Sequence, residues 1–69
     1  MMAGKKMIAV PKRDNEFSCI EKWKKGERYN MVYDAIGGII ALESDGGRIG
    51  HWSTAAFNEI RNNFDIISN

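Results

Sequence analysis

The stretch IIALESDGGRIGHWSTAAF, residues 39–57, decides how the rest of the chain is read. Two apolar runs flank Asp45-Gly46-Gly47, and a histidine and a tryptophan follow shortly after. An Asp-Gly pair favours the two central positions of a type I′ turn, whose twist matches that of two antiparallel strands. With Asp45-Gly46 in those positions, Glu43 faces Arg48, Leu42 faces Ile49, Ala41 faces Gly50 and Ile40 faces His51. An opposite-charge pair and an apolar pair then lie directly across from each other, each worth about 0.2–1 kcal/mol. Centring the turn on Gly46-Gly47 instead sets Leu42 against His51, a poorer match. A three-residue loop with a bulge is the remaining option. The stretch predicts a hairpin.

Working outward, RYNMVYD (residues 28–34) alternates, with Tyr29, Met31 and Tyr33 on one face and Arg28, Asn30, Val32 and Asp34 on the other. Gly37-Gly38 then supplies positive-φ positions for a turn. On the other side, residues 53–57 predict a single helical turn with Ser53 as its cap. Phe57, Ile60, Phe64 and Ile67 also fall at helical spacing. The Asn62-Asn63 pair weakens a long helix, so an extended segment is expected near residues 58–61. Residues 64–67 would serve equally as a closing strand.

Towards the N-terminus, EKWKKGE (residues 21–27) reads as a charged loop and FSCI (residues 17–20) as a strand. Residues 1–16 read as a basic, largely irregular arm. Pro11 cannot donate to a ladder, while an edge strand at Met7 to Val10 stays open as an alternative. The expected architecture is all-β, with four to five short antiparallel strands in a small barrel or sandwich. It divides into a basic arm at 1–16, the β unit at 17–61 and a tail at 62–69.

Sixty-nine residues leave room for one core. A chain of this size buries only about 60% of its unfolded surface, which favours a groove or flat face over a deep enclosed site. Apolar residues at 43% and charged residues at 28% suit a folded domain. A single cysteine, Cys19, excludes an internal disulfide. The apolar run before Pro11 is too short for a signal-peptide core, and nothing has the length of a membrane span. A cytoplasmic location is expected.

The net charge of +1 hides an asymmetry. Residues 1–28 hold eight Lys/Arg against four Asp/Glu, giving +4; residues 29–69 hold two against five, giving −3. Such polarity either steers an acidic or nucleic-acid partner or is an ordinary solvated surface.

The layout resembles that of small, often phage-encoded SH3-like barrel proteins. Those chains run from a Cys-Ile-like segment through a Lys-Gly-x-x-Tyr-x-Val-like strand. Two strands joined by an Asp-Gly turn follow, then an aromatic and a short turn ending in Phe. The matching positions are Cys19, Ile20, Lys25, Gly26, Tyr29, Met31, Ile40, Leu42, Asp45, Gly47, Trp52 and Phe57, within residues 17–60. Met31 replaces a branched residue, and the first loop is short. The resemblance implies an SH3-like barrel with a short helical turn near residues 53–57, and a phage or prophage origin that would make the location the host cytoplasm. It implies no catalytic residues.

Catalytic chemistry finds little support. Cys19 and His51 would need hydrogen-bond reach and an oxyanion site to act as a dyad, and a strand cysteine is more often a small buried hydrophobe. One Cys, one His and scattered carboxylates carry no zinc spacing, and Asp34, Glu43 and Asp45 do not fit a calcium loop. The glycine pairs lack the Gly-Lys-Ser/Thr phosphate cradle. No cofactor or metal is expected, and the expected function is non-enzymatic.

Contact chemistry is richer. Trp23 stands among Lys22, Lys24, Lys25 and Arg28; it either anchors a partner or closes one end of the core. Tyr33 and His51 complete the expected partner-binding set, while Tyr29 and Trp52 suit the core. The leading expectation is a protein that binds a host protein and modulates or inhibits it. The alternative is nucleic-acid binding through Lys5, Lys6, Lys12, Arg13 and Trp23. A third is an assembly component that self-associates, a homodimer in its simplest form, through an apolar face such as that of IIAL.

Overall fold

A computed structural model describes residues 4–16 and 21–68 of the protein. In chain order the elements are β1 (Lys5–Pro11), β2 (Asn15–Glu16), β3 (Lys22–Trp23), β4 (Tyr29–Asp34), β5 (Ile39–Glu43), β6 (Ile49–Ser53), a 3₁₀ turn (Thr54–Ala56), α1 (Phe57–Asn63) and β7 (Phe64–Ser68). Five strands form one antiparallel sheet in the order β6-β5-β4-β1-β7, and β2 and β3 make a separate hairpin. The structure is mostly β, as expected. The expected strand at residues 17–20 lies outside the described residues.

The largest departure is at the N-terminus. Residues 5–11 are not an irregular arm or an edge strand. β1 sits inside the sheet, with Ile8 opposite Asn30 of β4 on one side and Ile67 of β7 on the other. Met7, Ala9 and Pro11 point to the core side, and Ile8 and Val10 to the other. Pro11 is tolerated because ladder pairing with β4 stops at Ala9–Tyr29; beyond it, that side asks only for the Pro11 carbonyl, which accepts from Gly26 N at 3.1 Å. Both segments flanking residues 17–61 supply strands, β1 and β7, to the same sheet.

β4 has the expected alternation, with Tyr29 and Met31 buried. The β5–β6 hairpin forms with a different register: Glu43 faces Ile49, Leu42 faces Gly50, Ala41 faces His51 and Ile40 faces Trp52. Three residues, Asp45–Gly47, make the loop, which closes where Ser44 N donates to Arg48 O at 2.8 Å. The positive φ angles fall at Gly46 (81°) and Gly47 (75°), not at Asp45, so this is not the expected type I′ turn. Burial explains the choice. A one-residue slip exchanges the two faces of a strand. The observed register packs Trp52 against the core and leaves Ile49 62% exposed; the expected one would bury His51 and expose the indole.

Gly50 is needed for that packing. A Cβ there would fall 2.6 Å from the Trp52 ring and would also collide with a Glu21 carboxylate oxygen.

After β6, Ser53 caps the 3₁₀ turn, its Oγ accepting from Ala55 N at 3.2 Å. Residues 58–61 are helical rather than extended. Burying Ile60 against the core outweighs the weak propensity of the asparagines. The helix ends at Asn63, and Phe64 opens β7, the closing-strand alternative. The core combines Ala9, Tyr29, Met31, Ile40, Leu42 and Phe64 from the sheet with Trp23 from the hairpin and Ile60 from α1. Fully burying an aliphatic or Phe side chain contributes about 1.5–3 kcal/mol.

Candidate functional site

Trp23 does not project from a loop. It lies on β3 with only 5% of its surface exposed, and its indole Nε1–H donates to the Glu43 carbonyl at 2.8 Å. Its ring meets Phe64 edge-on at 5.6 Å and Trp52 at 6.1 Å. Of the two roles open to it in the sequence, the ring fills the one that closes the core.

Tyr29 ties the same end together. Its hydroxyl accepts from Lys24 N at 2.8 Å and donates to Asp45 Oδ1 at 2.7 Å. Burial, then the hydrogen bond to Asp45, push the phenol above its ordinary value, so it stays a neutral donor. A groove of about 200 Å³ remains beside this cluster, between Trp23, Trp52 and Phe64 on one side and Ala56, Glu59 and Asn63 on the other.

Lys22, Lys24, Lys25 and Arg28 are exposed, but they are interleaved with acids. Asp14 Oδ1 accepts from Lys25 N, and Lys22 and Lys24 border a second cleft together with Asp14, Glu16 and Asp45. Two residues of the basic N-terminal half reach partners in the C-terminal half. Lys12 Nζ lies 4.0 Å from Asp65, and Arg13 donates to Asn63. Lys5 and Lys12 are seven residues apart along extended chain, about 23 Å. Lys5 and Lys6 point to opposite faces of the sheet. With Trp23 buried, these residues form no continuous basic track.

At the far end of the sheet stands a different cluster. Tyr33, half-buried on β4, meets the Phe57 ring at 5.0 Å with an interplanar angle of 62°. Arg61, one helical turn beyond Phe57, holds its guanidinium 5.7 Å from the same ring. Lys5 is the cross-strand partner of Tyr33 and shares its face.

Just beyond, the β4–β5 turn carries Ile36 with 89% of its surface exposed. That turn is held in place: Asp34 Oδ1 accepts from Gly37 N at 2.8 Å, and Gly38 O accepts from Thr54 N at 3.1 Å. A hydrogen-bonded hairpin tip thus presents an aliphatic side chain to solvent three residues beyond Tyr33.

Tyr33 was expected among the contacts. Ile36, Phe57 and Arg61 were not, although an isoleucine within Ala-Ile-Gly-Gly and a Phe–Arg pair four residues apart are visible signals. His51 is exposed on the opposite face of the sheet, across from Ala41, and does not join Tyr33. Cys19 lies outside the described residues, so its relation to His51 is left aside. Among the described residues, no group of three or more His, Cys, Asp or Glu side chains is placed to hold a metal ion. No helix among them is long and apolar enough to cross a membrane. No protein-family model, curated protein or solved structure matches the chain.

Proposed function

We propose that this protein is a non-enzymatic SH3-like barrel that works by binding a protein partner through its Tyr33 end. One observation carries the reading: Ile36 is almost fully exposed on a hydrogen-bonded turn that leaves β4 three residues after Tyr33, the residue paired with Phe57. A large aliphatic side chain gains nothing from water, whereas covering it on binding would be favourable by about 25 cal/mol per Å² of apolar surface removed from solvent. The antiparallel strands, the hairpin loop at Asp45–Gly47, the aromatic at 52 and the short turn before Phe57 support the SH3-like assignment. On the phage origin that the resemblance implies, the partner is a host protein and binding modulates or inhibits it.

A photo-crosslinking residue at position 36, compared with the same residue at exposed position 48 at the other end of β6, tests the reading in host lysate. A discrete adduct from position 36 and none from 48 is expected. Identical patterns from the two positions would overturn it.

A further inference from the structure

We propose that the Tyr33 end takes an acidic, amphipathic segment of its protein partner, whose apolar side chains cover Ile36 and the Tyr33–Phe57 pair while its carboxylates meet Lys5 and Arg61. The inference rests on the binding reading above and adds the chemistry of the partner. Lys5 and Arg61 flank the aromatic pair, and both are exposed. The carboxylates on the elements that build this end are Asp34 and Glu59. Asp34 turns back to accept from Gly37. Glu59 lies about 160° around α1 from Arg61 and borders the Trp52 groove instead. Among the described residues named at this end, Lys5 and Arg61 thus stand against the one carboxylate of Asp34, and the excess of cations attracts anionic groups.

Two features favour a protein segment over a nucleic acid. A base needs a free aromatic face for stacking. Phe57 already carries the Arg61 guanidinium, and its pairing with Tyr33 is tilted rather than stacked. Ile36, the most exposed large hydrophobic residue described, offers a sugar-phosphate backbone nothing.

The experiment is an amide chemical-shift titration of the isotopically labelled protein with three probes. These are a short synthetic peptide alternating Glu and Leu, the same peptide with Gln for every Glu, and oligothymidylate. Saturable shifts centred on Lys5, Tyr33, Ile36 and Phe57 are expected with the Glu–Leu peptide. The Gln version should bind about tenfold more weakly, as should the Ile36→Ser and Arg61→Gln variants, a factor equal to about 1.4 kcal/mol. Both positions are exposed, and dispersed spectra of the variants verify that they fold.

Equal binding of the two peptides, shifts centred elsewhere, no saturable shift, or stronger binding of oligothymidylate at these residues would each overturn the proposal. An adduct at position 36 combined with any of these outcomes removes only the acidic partner. Loss of the adduct removes the binding reading itself.

Discussion

The two aromatic clusters of this small protein are built to opposite ends. Around Trp23, the buried indole N–H donates to the Glu43 carbonyl, the Tyr29 hydroxyl both donates and accepts, and Phe64 covers the indole edge-on. Around Tyr33 the rings are half-buried, a guanidinium lies over Phe57, and the turn that follows β4 leaves Ile36 free in solvent. The first cluster has its interactions within the fold. The second packs Tyr33 and Phe57 against the core but leaves part of both rings, Ile36 and the cations in solvent. Composition does not separate them, because each is aromatic with lysines nearby. Geometry does.

If the division is right, damage at the Trp23 end appears as lost stability and damage at the Tyr33 end as lost binding. The greatest effect is expected for Trp23→Ala, which empties core volume and orphans the Glu43 carbonyl; a loss of about 3–5 kcal/mol should show in urea denaturation. For a chain with so small a core, that approaches the whole stability. A variant that kept its denaturation midpoint would erase the contrast.

Gly50→Ala comes next. The added methyl meets the Trp52 ring and the Glu21 carboxylate, and about 1–3 kcal/mol should be lost as the indole shifts. Tyr29→Phe should cost about 1–3 kcal/mol by leaving Lys24 N and Asp45 without their partner.

Tyr29 also sets a pH limit. Its folded-state value is raised, so the protein binds the phenolic proton more tightly than the unfolded chain does. That stability is fully present below the unfolded value near 10 and is lost as pH rises through the folded one. Denaturation midpoints followed above pH 10 should therefore fall more steeply for the native chain than for Tyr29→Phe. The smallest effect on stability is expected for Ile36→Ser, within about 0.5 kcal/mol in the same denaturation assay. Its adverse effect should appear on partner binding alone.

How much of this was readable beforehand follows from which forces are local. The alternation of β4 and the Ser53 cap are local signals and are seen where expected. In the sequence, the register of the β5–β6 hairpin rests on cross-strand pairs and the turn preference, each worth a fraction of a kcal/mol to about one. Burial of Trp52 outweighs them. β1 was obscured by its proline and by neighbours distant in sequence, and α1 by asparagines whose cost Ile60 offsets. At the candidate site, Tyr33 was legible from strand periodicity. Ile36 was hidden in a turn, and Trp23 was misplaced because a charged loop in sequence becomes a strand lying over the core.

The position of β1 carries a consequence for how the protein comes into being. Its neighbour β7 is separated from it by almost the entire chain, with Ile8 opposite Ile67. A nascent molecule therefore leaves one side of its first strand unzipped until residues 64–68 clear the ribosome. Any factor that lingers on the emerging polypeptide has that open edge to grip, and a prematurely terminated copy would carry it permanently.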